Sequence, residues 1–188
     1  MTVSNAAQIE ERVSASRADF LAFVWPAISS AFGDGRLITV EGSSDELAKN
    51  LDYVGIDYLF NPKHGEPFGI SQRTCSGQWR TVTLSESTLD RWRQQWGRAG
   101  TLLPAVHIQS YLIPLTPSSK SLHSVAVVNI DKFMKYVKGQ PGSKRTNQSE
   151  GSTFLVWDFD ALELAGVTTL SLPAFGLRDP FGSASPTG

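Results

Sequence analysis

Cysteine, long apolar runs and recognisable catalytic motifs are scarce in this sequence. Cys75 is the only cysteine among 188 residues, which excludes an internal disulfide and an all-cysteine zinc site and favours a reducing compartment. No apolar run approaches the roughly 20 residues of a membrane-spanning helix, and the polar N-terminus lacks the features of a signal peptide. No phosphate-binding glycine loop, nucleophile elbow or HExxH motif is present. These absences predict a cytoplasmic protein without a membrane segment.

The remaining composition is that of one globular domain. Hydrophobic residues make up 40% of the chain and charged residues 19%, which is ordinary for a packed protein of this length. Proline, glycine and serine accumulate from Ser171 onward. We therefore expect a single globular α/β domain over residues 1–170 and an extended or disordered tail over residues 171–188.

Charge is unevenly distributed along the chain, although the net charge is only −1. Residues 1–60 carry four Lys/Arg and nine Asp/Glu, residues 61–150 carry twelve and five, and residues 151–188 carry one and four. The basic middle is typical of a surface that faces nucleic acid, with carboxylates elsewhere for metal binding or solubility. Chance clustering on a solvated surface gives the same pattern, because a sequence does not show whether charges share a face.

Hydrophobic periodicity predicts a central mixed sheet flanked by helices. Apolar residues follow a 3.6-residue spacing over residues 5–32, which predicts a helix with a kink at Pro26. Segments 54–60 and 68–73 are predicted strands, and the turn-forming residues between them predict an antiparallel hairpin. Further strands are predicted at 37–40, 79–84, 105–113, 122–129 and 154–157, further helices at 44–51, 88–98 and 131–138, and a flexible loop at 139–151.

The predicted hairpin carries the residues that point to chemistry. Asp57 lies on its first strand, and Gln72 and Arg73 lie on its second. Paired strands bring such side chains within ~5 Å of one another on one sheet face. Carboxylate oxygens are ligands that Mg²⁺ prefers, and a neighbouring cation orients an attacking water and offsets charge on a phosphorane. The alternative is an ordinary cross-strand ion pair between Asp57 and Arg73.

At these residues the chain resembles the restriction-endonuclease-like PD-(D/E)XK superfamily. The core of that family runs helix, three strands, helix, strand, with one acid on the second strand and an acid-x-lysine pair on the third. The resemblance covers residues 5–113. It implies a metal-dependent nuclease in which Asp57 binds Mg²⁺, Arg73 replaces the lysine and Gln72 is a third catalytic candidate.

Two positions depart from the family pattern. Ser71 stands where the second acid is expected and is a poor metal ligand, and Arg73 cannot deprotonate as lysine can. The resemblance also allows Glu10 or Glu11 as the helix carboxylate that some members use. Either the site is rebuilt from other groups or the domain no longer cleaves. Candidates for a rebuilt site are Asp52, Glu46, Glu66, Lys63 and Gln109.

Basic and aromatic residues outside the hairpin are candidates for nucleic-acid contact. The predicted phosphate-binding cations are Arg80, Arg91, Arg93, Arg98, Lys144 and Arg145. Near the arginines lie Trp79, Trp92 and Trp96. Phosphate contact with base stacking uses this mixture, although tryptophans at helical spacing are also typical of a core. Weaker candidates for chemistry are His64, His107 and Cys75.

Three interpretations remain open from the sequence. The first is a nuclease-like domain that acts on or binds nucleic acid, with or without Mg²⁺-dependent hydrolysis. The second is a non-catalytic adaptor or regulatory module that uses the same fold to bind protein or nucleic acid. The third is a small-molecule enzyme whose site has no recognised motif. The missing second acid favours the adaptor, and the basic middle segment favours nucleic acid in either case.

Overall fold

Two β-sheets, of six and three strands, organise this computed structural model. The structure describes residues 11, 14–40, 46–99, 101–116, 119–146 and 153–172. Its strands are β1 (Gly35–Thr39), β2 (Tyr58–Pro62), β3 (Phe68–Ser76), β4 (Thr81–Ser85), β5 (Val106–Thr116), β6 (Ser119–Asn129), β7 (Ser143–Thr146), β8 (Thr153–Asp158) and β9 (Thr168–Leu172). Its helices are α1 (residues 14–32), α2 (Glu46–Tyr53), α3 (Glu86–Gln95), α4 (Ile130–Tyr136) and α5 (Phe159–Leu164).

The larger sheet is mixed, as the sequence predicts. Its strand order is β1-β2-β3-β5-β6-β9, and the smaller sheet has the order β4-β8-β7. The predicted hairpin is confirmed, because β2 pairs antiparallel with β3 through Tyr58 opposite Ile70. β3 and β5 run parallel, and α3 lies between them in the chain. Every other recorded strand pair is antiparallel.

One face of the larger sheet packs against α1. Phe20, Val24 and Ile28 of this helix are fully buried in the same hydrophobic cluster as Tyr58 and Ile70. Each such side chain contributes roughly 1.5–3 kcal/mol through burial. The predicted association of the N-terminal helix with the sheet is therefore confirmed for the described part of the helix.

The predicted kink at Pro26 takes the form of a π-helical stretch. Residues Phe20–Val24 are π-helical, Trp25–Ile28 are α-helical and Ser29–Phe32 are 3₁₀-helical. The N–H of Trp25 reaches back to the carbonyl of Phe20, one residue farther than in an α-helix. Pro26 has no N–H to donate, so the regular ladder is interrupted at this point.

The other face of the larger sheet is covered by the smaller sheet and by α3, α4 and α5. Large buried side chains of this second cluster include Trp92, Phe133, Trp157 and Phe159. A polar contact joins the two sheets at Gln109, whose Oε1 accepts from the N–H and the hydroxyl of Thr83, each at 3.2 Å. Because this amide is fully buried, both of its ends need partners inside the protein.

Segment 54–60 is only partly the strand that its apolar residues predict. α2 continues to Tyr53 and ends in a glycine cap, in which Gly55 has φ +80°. The N–H of Gly55 donates to the backbone carbonyl of Asp52, and the N–H of Ile56 donates to that of Leu51, both at 2.9 Å. This pair of hydrogen bonds is the Schellman motif. Val54 and Ile56 are buried by this turn, so their hydrophobicity belongs to a helix end. The strand begins at Tyr58.

Several smaller expectations need correction. The predicted loop 139–151 contains β7, which pairs with β8. The helix predicted at 88–98 starts at Glu86 and is capped by Ser85, whose hydroxyl accepts from the N–H of Thr88 at 3.1 Å. β8 is followed by α5 and β9, which the sequence reading missed. β9 extends through Leu172, and the rest of the predicted tail lies outside the described residues.

Within the described part of the chain, every helix is too short or too polar to cross a bilayer.

Candidate functional site

Asp57 lies where the chain enters β2, and its side chain is bound to the neighbouring strand. Its backbone N–H donates to the carbonyl of Ile70 at 2.9 Å, and its carbonyl accepts from Val40 at 3.0 Å. The carboxylate oxygen Oδ2 accepts a 2.6 Å hydrogen bond from the backbone N–H of Gln72. Asp57 and Gln72 are therefore brought together, but through the backbone of Gln72 and not through its amide side chain.

This hydrogen bond has a structural cause in the unequal lengths of β2 and β3. Pairing of β2 with β3 ends at Tyr58 and Ile70, whereas β3 continues to Ser76. Backbone groups of β3 beyond this point need other partners. Asp57 supplies one for Gln72, and the hydroxyl of Ser16 on α1 contacts both the N–H and the carbonyl of Thr74, at 3.3 and 3.2 Å. The side chains of Asp57 and Ser16 thus supply hydrogen-bond partners that a longer β2 would otherwise supply.

The carboxyl group of Asp57 has a higher pKa than an ordinary aspartate. Burial raises its pKa from 3.8 to about 6, against the opposing effects of the Gln72 hydrogen bond and the charge of Arg17. The carboxylate of Asp52, in the last turn of α2, adds a smaller effect that raises the pKa. Desolvation outweighs the two favourable contacts, which is typical of a carboxylate enclosed by protein.

Ser71 and Arg73 lie on the part of β3 that pairs with β5. In the parallel register Ser71 lies opposite His107, and Arg73 lies opposite Gln109. The hydroxyl of Ser71 is 3.2 Å from Nδ1 of His107, and Nε2 of this histidine is buried without a hydrogen-bond partner. Burial, helped by the charge of Arg73, lowers the pKa of His107 to about 3. This histidine is therefore neutral across the physiological pH range.

The expected pairing of Asp57 with Arg73 is not seen. The Arg73 side chain is exposed, and its backbone carbonyl is 3.4 Å from Nε2 of Gln109. The cation that lowers the pKa of Asp57 is Arg17. Sequence reasoning missed Arg17 and Ser16, since neither lies in a motif and only the packing of α1 brings them to β3.

The groups around Asp57 offer few ligands for Mg²⁺. Among the residues that the structure describes, no three His, Cys, Asp or Glu side chains form a cluster suited to a metal ion. One oxygen of Asp57 is engaged by a backbone N–H, Ser71 is bonded to His107, and neither Ser71 nor Gln72 adds negative charge. Mg²⁺ is usually held by one or two carboxylates with waters that complete an octahedron, and the carboxylates at hand are that of Asp57 and that of the exposed Asp52, which acts on it.

The other groups proposed for a rebuilt site are placed elsewhere. Gln109 spans the two sheets in the core. Exposed side chains are those of Glu11, Glu46, Lys63, Glu66 and His64. Glu10 lies outside the described residues. Cys75 is half-buried, and its sulfur is 3.7 Å from Nε2 of Gln109.

Most of the predicted phosphate-binding cations have partners within the fold. Recorded contacts are Arg80 with Asp160 at 2.6 Å, Arg91 with the carbonyl of Tyr53 at 2.6 Å, Arg93 with Asp90 at 3.1 Å and Lys144 with Glu86 at 3.0 Å. Arg98 and Arg145 have exposed side chains. Exposed ion pairs of this kind are weak and exchange readily with other anions, so pairing does not remove Arg93 or Lys144 from the candidates.

The three tryptophans near these arginines have different environments. Trp92 is 1% exposed, and its indole N–H donates to Val54 at 3.2 Å, so it is a core residue. Trp79 is 66% exposed and lies over Gly77. Trp96 is half-buried between α3 and α4, and Nε1 donates to Asp131 at 3.1 Å. Only the last two are accessible for stacking.

Comparison with known proteins finds no match for this chain, either among protein-family models or among curated proteins.

Proposed function

We propose that this chain is a nucleic-acid-binding domain with a restriction-endonuclease-like core that does not carry out metal-dependent cleavage at Asp57. One observation carries the proposal. The Asp57 carboxylate, which the resemblance assigns to Mg²⁺, accepts a 2.6 Å hydrogen bond from the backbone of Gln72 and completes the edge of β3. A carboxylate that is hydrogen-bonded in this way stabilises the fold and is less available to a metal ion.

The order of elements supports the restriction-endonuclease-like part of the proposal. α1 is followed by the three antiparallel strands β1, β2 and β3, then by α3 and by β5, which lies beside β3. Two elements depart from the family order: α2 is inserted between β1 and β2, and β4, which belongs to the second sheet, is inserted before α3. Asp57 directly precedes the second of the three strands. Apart from these insertions, the order of elements and the position of Asp57 are close to those that the resemblance implies.

The charge distribution supports nucleic acid as the partner. Residues 61–150 have twelve basic and five acidic side chains, and they include α3 and α4. Arg93 is exposed on α3, Lys132 and Lys135 are exposed on α4, and Lys138 is exposed just after α4. A net positive surface attracts phosphate backbones through counterion release. A protein partner at the same cations would need an acidic surface of its own.

Binding and cleavage are tested separately with the full chain. Fluorescence anisotropy with labelled single-stranded and duplex DNA and RNA should show binding at low salt, with log affinity falling linearly with log salt, by about 0.7–0.9 per phosphate contacted. Incubation of the same substrates with Mg²⁺ or Mn²⁺ should give no cleavage above that of the Asp57→Asn variant. Metal-dependent cleavage that Asp57→Asn abolishes would restore the nuclease. Failure to bind any of the four substrates at low salt would exclude nucleic acid.

A further inference from the structure

A groove between α3 and α4 combines an apolar floor with two cations. It has a volume of about 380 Å³ and is lined by Arg93, Trp96, Met134, Val137 and Lys138; we call it the α3–α4 groove. Met134 and Val137 are almost fully buried, at 1% and 3% exposure, so they form its floor. Arg93 and Lys138 are exposed at its rim. The volume falls within the range of small-molecule pockets.

Trp96 is held in place within this groove. Its indole N–H donates to Oδ1 of Asp131 at 3.1 Å, and the Nζ of Lys138 lies 4.5 Å from its ring centroid. The second oxygen of Asp131 accepts from Lys135 at 2.6 Å, so this carboxylate is engaged on both sides. The fixed indole therefore presents an aromatic surface without an uncompensated negative charge beside it.

The two cations at the rim of the groove favour an anionic ligand. Arg93 pairs only with Asp90, an exposed i,i+3 contact at 3.1 Å, and such pairs are weak. Lys138 is bound to an aromatic face, and an exposed cation–π contact is comparably weak. Both cations can therefore turn to a phosphate at little cost. A guanidinium and an ammonium that line the same apolar groove suit a flat apolar group that carries phosphate.

We propose that the α3–α4 groove binds one nucleotide of a single-stranded nucleic acid, with the base against Trp96 and the phosphate between Arg93 and Lys138. The inference rests on the proposed function. It specifies where the nucleic acid binds and that the bound nucleic acid is single-stranded. An unpaired base can enter a recessed apolar floor, whereas the bases of a duplex are stacked inside the helix. The site therefore favours single strands over a duplex of the same sequence.

The experiment compares two double variants that remove the same charge. Arg93→Gln with Lys138→Gln alters the groove, and Arg36→Gln with Lys49→Gln alters exposed cations on β1 and α2. Anisotropy with a labelled single strand should show an affinity loss of about tenfold or more for the groove variant at low salt, and a salt slope lower by about 0.7, because one phosphate contact is lost. The control variant should lose less than about twofold, since surface charges outside the site act only at long range.

Trp96 supplies the second readout. Trp96→Leu should weaken single-strand binding about 5- to 150-fold, the range for one stacked base, whereas Trp96→Phe should retain most of the affinity. Thermal melting by circular dichroism identifies any variant that fails to fold. If a Trp96 variant fails to fold, the comparison of the two surface double variants still tests the groove.

The outcomes separate the two proposals. If the wild type binds no nucleic acid, the proposed function and this inference both fail. If the wild type binds but the two double variants weaken binding equally, the proposed function stands and the groove is excluded. Equal wild-type affinity for duplex and single strand overturns the single-strand assignment. Polyglutamate that competes as well as the oligonucleotide at equal charge shows a site for acidic peptides and overturns the nucleotide assignment.

Discussion

The Asp57→Asn variant isolates the free-energy cost of holding a charged carboxylate against the edge of β3. Asparagine has nearly the same shape, and its carbonyl oxygen can still accept from the N–H of Gln72. The pKa of Asp57 is raised from 3.8 to about 6 in the folded protein. At 1.36 kcal/mol per unit, the ionised form is destabilised by about 3 kcal/mol relative to the unfolded chain.

The sign of the pH dependence follows from the raised pKa. Between about pH 4 and 6 the folded state binds more protons at Asp57 than the unfolded state does, so the contribution of Asp57 to the stability of the wild type falls as pH rises through this window. Asparagine does not titrate. The variant should therefore match the wild type at about pH 4, to within the small effect of the substitution itself, and exceed its unfolding free energy by up to about 3 kcal/mol above about pH 7.

Urea denaturation followed by circular dichroism measures this difference at several pH values, with unchanged m-values as the check that the comparison is valid. Asp52→Asn is the matched control, because it removes an exposed acid that raises the pKa of Asp57 only slightly. A stability difference that is the same at all pH values would refute the reasoning. So would Mg²⁺ that stabilises the wild type and leaves Asp57→Asn unchanged, since a ligand bound only by the folded wild type raises its stability.

Two further predictions concern the core. The pKa of His107 is lowered to about 3 in the folded protein, so the unfolded chain binds a proton there first, and this histidine alone should remove about 5 kcal/mol of stability as pH falls from about 6.5 to 3. This effect is opposite in sign to that of Asp57. His107→Gln should therefore lose less stability than the wild type over this pH range in urea denaturation, and identical profiles would contradict the assignment. Gly142→Ala should cost about 1–3 kcal/mol, because φ is +81° and the new Cβ would lie 2.6 Å from the Trp157 ring. Gly139→Ala, whose Cβ meets no atom within 4 Å, is the control in the same denaturation series.

Local patterns predicted the hairpin because two adjacent features agreed. The turn-forming residues of 61–67 separate two apolar segments, and the strands on either side pair antiparallel as expected. The strand boundary was wrong at Val54 because an apolar residue buried at a helix end has the same local signature as one in a strand. Gly55 at the end of α2 was the signal that distinguishes the two cases.

The surroundings of Asp57 were less predictable because they depend on the packing of a distant segment. Ser16 and Arg17 lie on α1, more than fifty residues before the β3 groups with which Ser16 interacts. Their positions follow from the burial of Phe20 on the sheet and not from any motif. The sequence predicted Asp57 as the central residue of the site, but the partner of its carboxylate is the backbone N–H of Gln72. Every residue except proline has such a group, so no residue type in the sequence signals this contact.

The edge of β3 also gives a reason for the proposed separation of binding from the Asp57 region. A ligand that required the Asp57 carboxylate would have to displace the N–H of Gln72, and a buried donor left without a partner costs about 1–3 kcal/mol. The ligand would also meet a group whose pKa of about 6 makes it neutral part of the time near neutral pH. The cations at the rim of the α3–α4 groove give up only weak exposed contacts when they bind a phosphate. Binding at that groove leaves the sheet intact, and for this reason we place nucleic-acid recognition on α3 and α4.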